Sequence, residues 1–114
     1  MADSPARRGD DTGTAARHVE SERAFDDLLA SEGTVLVDFY ADWCGPCRMM
    51  ESIVEELAAE EDTTVAKVDV DALSPVAARY EVKSIPAFVV FEGGEPTDRL
   101  VGMQELSDLR RAIE

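Results

Sequence analysis

Thr34-Val35-Leu36-Val37-Asp38-Phe39-Tyr40 is almost continuously apolar and rich in β-branched residues, the pattern of a central strand covered on both faces. A strand of that kind must be paired in a sheet and sandwiched between helices, which predicts a layered α/β domain. Its surroundings agree. His18-Val19 opens a short edge strand, and Ser21 is a candidate N-cap for a helix whose Phe25, Leu28 and Leu29 form an apolar stripe, closed at Glu32-Gly33. From Pro46 onward Met50, Ile53, Val54, Leu57 and Ala58 recur at helical spacing, a surface helix of about four turns. A strand is expected from Thr64 to Val70, a short helix from Pro75 to Tyr80, and a strand from Ala87 to Phe91 leading into a Gly93-Gly94 turn. Arg99 to Val101 would pair back, and Leu106, Leu109 and Ile113 line a last helix. The order is βαβαβαββα, with no internal repeat.

The only two cysteines, Cys44 and Cys47, stand three positions apart where the apolar strand gives way to the helix. Thiols at i and i+3 in a first helical turn share a face and close a small disulfide ring with little backbone movement. The first of them meets unpaired backbone N–H groups and the positive end of the helix dipole, which lower a thiol pKa and raise its thiolate fraction. Cys44 is therefore the candidate nucleophile and Cys47 the resolving thiol.

The run Val35 to Cys47, ending in Trp43-Cys44-Gly45-Pro46-Cys47, resembles the active-site strand and turn of the thioredoxin family. Ser84-Ile85-Pro86-Ala87 resembles the family's cis-proline loop, Phe91-Glu92-Gly93-Gly94-Glu95 its following hairpin, and Val101-Gly102 the glycine near its last strand. These landmarks fall in the family's order over roughly residues 16 to 114. The resemblance implies the thioredoxin fold, a central mixed β-sheet flanked by helices on both faces, and a thiol–disulfide oxidoreductase that reduces protein disulfides. It implies that Asp38 is a buried acid assisting proton transfer from Cys47, tuned by Lys67, and that Gly45, Pro46 and a cis Pro86 shape the site. Trp43, Val70, Ile85, Val101, Gly102 and Met103 match an apolar rim that binds extended substrate chains. It further implies thioredoxin reductase as electron donor and ribonucleotide reductase, peroxiredoxins and methionine sulfoxide reductases as substrate candidates. Gly45-Pro46 resembles the reducing members, because oxidases and isomerases of this fold usually carry a histidine between the cysteines, so a low potential is expected. Three positions depart from the commonest pattern: Tyr40 for a tryptophan, Ser52 for the proline that kinks the active-site helix, and Ala87 for a threonine. Serine retains the N–H that proline lacks, which puts the kink in question.

Taken as ordinary residues, these positions read differently. A strand-end Asp38 would face solvent or form a salt bridge, Val70 and Val101 would belong to the core, and Asp42 and Glu92 are surface charges. A non-catalytic binding or regulatory subunit of the same fold would use none of the thiol chemistry. A closed zinc site needs about four ligands, and His18 is the one histidine available beside the cysteines, so a metal centre would have to be shared between chains. No metal and no cofactor is expected, since the chain carries no cofactor-binding motif.

A chain of 114 residues fits one domain with a real core. Residues 1 to 15, mixing Ser, Pro, Gly, Asp and Arg, read as a disordered tail ahead of a domain at 16 to 114. The N-terminus lacks a signal-like apolar stretch, and no run approaches the ~20 residues of a membrane span. A soluble, cytoplasmic monomer is expected. There, a lone cysteine pair is catalytic or metal-binding rather than a permanent staple.

Eleven basic residues against 25 acidic ones give a net charge of −14, which disfavours phosphate binding and hence nucleic acid. The first 17 residues balance, with Asp3, Asp10 and Asp11 against Arg7, Arg8 and Arg17, so the excess belongs to the domain. Glu51 and Glu55, like Glu56 and Glu60, stand at i, i+4 where like charges repel unless salt screens them. That pattern fits a halophilic protein; an acidic surface that merely confers solubility is the other reading.

Overall fold

The computed structural model describes residues 15–60 and 62–114. The tail expected over residues 1 to 15 lies outside the described residues except for Ala15, whose N–H donates to Glu55 Oε1 at 2.8 Å. Ala16 is already buried.

The expected central strand is β2, Thr34–Tyr40, with Val35 through Phe39 all buried. It pairs in parallel with β3, Thr64–Asp69, and antiparallel with β4, Ala87–Glu92. The two-residue β1, Arg17–His18, lies parallel to β3 at one edge, and β5, Glu95–Val101, antiparallel to β4 at the other. The sheet order is β1-β3-β2-β4-β5. Pairing on both sides satisfies the backbone edges of β3, β2 and β4 and leaves only a short strand and a polar one at the edges of the sheet.

Period-2 alternation sends the two sides of β2 to different cores. Val35, Val37 and Phe39 pack with Phe25 and Leu29 of α1, Glu22–Ser31, and with Val76 and Ala77 of α4, Ser74–Arg79. Leu36 joins Val54 and Leu57 of α3, Glu51–Ala58, and Leu109 of α5, Leu106–Ala112. Each fully buried Phe or Leu contributes about 1.5–3 kcal/mol, so both faces need their helices. Ser21 caps α1 as its sequence suggests, its hydroxyl accepting from Ala24 N–H at 3.0 Å. Consecutive positive φ at Gly93 (59°) and Gly94 (87°) close the β4–β5 hairpin in two residues, which glycine adopts without Cβ strain.

Strands β3 and β4 and helix α4 depart from their expected bounds by one residue, and three other elements differ as well. The first strand is Arg17–His18 rather than His18-Val19, although Val19 N–H still reaches Lys67 O at 3.0 Å. Strand β5 begins at Glu95 instead of Arg99; as an exposed edge strand it shows no apolar alternation to read. The single helix expected from Pro46 is two, a short α2 at Gly45–Met49 and α3, separated at Met50. Met50 N–H is shared between the Pro46 and Cys47 carbonyls at 3.2 and 3.1 Å, an overlap of α and 3₁₀ bonding that breaks the helix without a proline. Met50 itself is fully buried in the core.

Candidate functional site

At the C-terminal end of β2 the chain turns sharply, Cys44 N–H donating to Ala41 O at 3.2 Å, and enters α2 with Cys44 as N-cap. Arg48 N–H returns to Cys44 O at 3.1 Å as the first helical bond. Cys44 Sγ occupies the place of a capping side chain and accepts Cys47 N–H at 3.2 Å. The i, i+3 spacing puts the two Cα atoms 5.3 Å apart, and the sulfurs form a disulfide. Both residues are 5% exposed, packed with Ala41 against Tyr40, Val70 and Ile85. Gly45 and Pro46 are exposed on the first turn, where a proline costs no helical hydrogen bond.

The loop from α4 to β4 comes over the disulfide. Its Ile85–Pro86 bond is cis, Pro86 is buried, and the Ile85 carbonyl oxygen lies 3.9 Å from Cys44 Sγ. Gly102, with φ of 90°, donates its N–H to Pro86 O at 2.8 Å and so brings the end of β5 to the same place. Around this cleft Trp43 is 70% exposed and Val101 and Met103 are each 52% exposed, with Val70, Ile85 and Gly102 half-buried between them. Val101 is therefore a surface residue rather than core, whereas Val70 packs against both the disulfide and the α1/α4 core. Asp42 and Glu92 are exposed.

Asp38 shares the face of β2 that α3 covers, in register with Lys67 on one side and Phe88 on the other. It is 3% exposed, and its Oδ1 has no hydrogen-bond partner among the described residues. Desolvation pushes its pKa up to about 7, opposed by the positive charge of Lys67 and assisted by the negative charge of Glu51. Lys67 is buried too, yet its Nζ lies 4.7 Å over the Tyr40 ring rather than against Asp38. The pair meets electrostatically without an ion-pair contact. Burial and the carboxylates of Asp69, Asp42, Asp38 and Glu51 hold the Tyr40 phenol up at about 12.

Three participants went unread in the sequence. Asp71 accepts the Trp43 indole N–H at 2.8 Å across 28 residues. Met49, 66% exposed, adds a thioether to the turn that carries Gly45 and Pro46, and its i, i+3 spacing from Pro46 was the available signal. Glu51 looked like one more surface acid, but the break at Met50 sets it at the start of α3, within electrostatic reach of Asp38. Among the described residues no group of three or more His, Cys, Asp or Glu side chains is placed to hold a metal ion, and no helix is long and apolar enough to cross a membrane.

A family model described as Thioredoxin matches residues 16–114. The chain is 48% identical over 92 residues to a thioredoxin of Staphylococcus saprophyticus, covering 79% of this chain and 88% of that one. It is 46% identical over 91 residues to a bifunctional thioredoxin reductase/thioredoxin of Mycobacterium leprae, covering 78% of this chain and 20% of that one. Among solved structures, a mutant thioredoxin from Halobacterium salinarum superposes with a TM-score of 0.83 at 42% identity, covering 87% of this chain and 88% of that chain.

Proposed function

The chain belongs to the thioredoxin family, and on that premise we propose that Cys44 is its attacking sulfur and Cys47 its resolving one. Its activity is thiol–disulfide oxidoreduction, the reduction of protein disulfides. The observation that carries the assignment of roles is the position of Cys44 as N-cap of α2, its sulfur accepting the Cys47 N–H at 3.2 Å beside the Ile85 carbonyl. A thiolate at that atom is stabilised by the hydrogen bond and by the helix end.

In the reduced protein, the Cys44 thiolate attacks one sulfur of a substrate disulfide. A Cys44–substrate disulfide forms, and the other substrate sulfur leaves as a thiolate that takes up a proton. Cys47 then gives its proton to the Asp38 carboxylate and attacks Cys44 Sγ, forming the intramolecular disulfide and expelling the second substrate thiolate. Two electrons pass from the dithiol to the substrate; one expelled sulfur takes up the proton that Asp38 received from Cys47, and the other takes one from solvent, matching the proton Cys44 lost on ionising. Asp38 suits the relay because burial brings its affinity for a proton close to neutrality. Lys67 limits that rise, and the Tyr40 ring holds its ammonium at this height.

The substrate chain docks on Trp43, Val70, Ile85, Val101, Gly102 and Met103, its backbone pairing beside the cis Pro86 as an added strand; Gly45 and Pro46 keep the approach to Cys44 shallow. The electron donor is a thioredoxin reductase, a reading supported by the Mycobacterium leprae relative, whose name joins the two activities. Ribonucleotide reductase, peroxiredoxins and methionine sulfoxide reductases are the family's substrate candidates, and the setting is the cytoplasm, with the chain working as a monomer. An equilibrium titration of the Cys44/Cys47 pair in a thiol/disulfide buffer tests the assignment. A two-electron transition below the glutathione poise is expected; a transition at or above it would reassign the chain to an oxidase or isomerase role, and none at all to binding.

A further inference from the structure

Strand β5 reaches the α4–β4 loop at two points. At its C-terminal end Gly102 N–H holds Pro86 O at 2.8 Å. Three residues earlier, Arg99 stands in register with Val89, whose side of the sheet faces α1 and α4, and its guanidinium crosses to the end of α4. There Nη1 donates to Glu81 O at 3.4 Å and Nη2 to Tyr80 O. The geometry points to Arg99 as a positioning residue for the substrate-docking backbone at Ile85 and Pro86, an inference that rests on the reading of that loop as the docking site.

Helix α4 ends at Arg79, with Tyr80 as C-cap and Glu81 in the left-handed region at φ 55°. A helix end leaves its last carbonyls without intrahelical partners. A cation beside them is favoured by the dipole, and the planar fork of arginine meets two carbonyls at fixed angles as lysine cannot. Val82 N–H is tied back to Ala77 O at 2.9 Å. What remains between the two anchors from β5 is Val82 to Ile85, a link too short to wander when both of its ends are fixed. The Ile85 carbonyl, 3.9 Å from Cys44 Sγ, lies in this link, so the clamp on Tyr80 and Glu81 sets where an incoming chain finds its backbone partner relative to the attacking sulfur. Arg99 touches neither substrate nor sulfur and acts only through the loop.

The test compares wild type, Arg99→Ala and Arg99→Lys on two substrates, an extended peptide disulfide and a small aromatic disulfide that has no chain to pair. The expected result for Arg99→Ala is a KM for the peptide raised about fivefold with kcat held, the scale of one lost orienting interaction. The small disulfide should be affected far less, and Arg99→Lys should fall between wild type and alanine. A peptide KM within about twofold of wild type in Arg99→Ala, or a loss shared equally by both substrates, overturns the inference. If wild type itself reduces neither substrate, it is the oxidoreductase reading that fails and not the clamp.

Discussion

Trp43 donates its indole N–H to the carboxylate of Asp71 at 2.8 Å, fastening the most exposed aromatic ring of the site to the turn that follows β3. Without that bond a ring 70% in solvent would sample several rotamers and offer no fixed wall beside Cys44. Asp71→Ala should raise KM for protein disulfides by about two- to fivefold with little change in kcat, since a charge-assisted bond at an exposed site is worth about 1 kcal/mol. Trp43 is the sole tryptophan, so its emission reports the same event. An unaltered spectrum and KM together would show that the ring is held by other contacts.

Burial of Asp38 makes stability depend on pH, and its proposed relay role gives turnover a dependence of the opposite sense. Its carboxyl is held near 7 in the folded chain against 3.8 for a free aspartate, so the native state binds the proton more tightly than the unfolded one. The stabilisation is fully present below about pH 4 and is lost as pH rises through about 7, a swing of about 4 kcal/mol at most. Asp38→Asn should abolish that slope and leave the protein more stable than wild type at pH 8, by denaturant titration. The resolving step should speed up as Asp38 ionises through about pH 7 in wild type and lose that inflection in the variant. A wild-type stability that is flat from pH 4 to 8 would contradict the burial argument.

The two cysteines are equally buried, at 5% each, so access does not separate their roles; the proposed assignment rests on the cap position and the Ile85 carbonyl. Cys47→Ser should attack a substrate disulfide and stall, accumulating a covalent adduct at Cys44 visible by intact mass. Cys44→Ser should form no adduct, with turnover down by at least about 10³ in both variants. Adducts on Cys47 in the Cys44→Ser protein would reverse the assignment.

How much of this was legible beforehand follows from the range of the interactions. Val35 to Phe39 could be read because burial on both faces leaves a purely local mark, and Ser21 because a cap bonds only three residues away. Cys44 and Cys47 were legible for the same reason. Asp71 was not, because the residue it steadies is 28 positions distant. Arg99 reaches carbonyls 18 and 19 positions back, on an edge strand whose polar sequence concealed even its own beginning. Lys67 could be placed near Asp38 by resemblance, but its seat over Tyr40 depends on the register of β2 and β3.

Met50 shows that the break between α2 and α3 does not need a proline. Since Ser52 is the second residue of α3, in a first turn whose N–H groups have no partner within their own helix, Ser52→Pro should change stability by no more than about 1 kcal/mol. Glu56→Pro, exposed but inside α3, should cost about 3 kcal/mol or more. Thermal denaturation of the two variants checks the contrast. Equal, large losses would mean that the helix runs on through Met50 in solution.

The charge distribution yields the last prediction. Four arginines among the described residues are drawn onto acidic partners: Arg110 onto Glu60, Arg79 between Glu22 and Asp26, Arg17 to Glu32 and Arg111 to Asp108. Exposed pairs of this kind contribute about 0–1 kcal/mol each. Most of the other acidic side chains among the described residues face solvent and one another, Glu51 and Glu55 on adjacent turns of α3 included. Self-repulsion then opposes folding in dilute buffer and is removed as the screening length falls from about 10 Å at 0.1 M salt to about 3 Å at 1 M. The melting temperature should therefore climb by several degrees between those concentrations of potassium chloride, a salt with little effect of its own on apolar burial. Glu51→Lys should capture part of the rise at low salt by removing one repulsion and placing a cation within electrostatic reach of Asp38. A melting temperature that is flat or falls with potassium chloride would leave the acidic surface as an aid to solubility and withdraw the case for a salt-adapted protein.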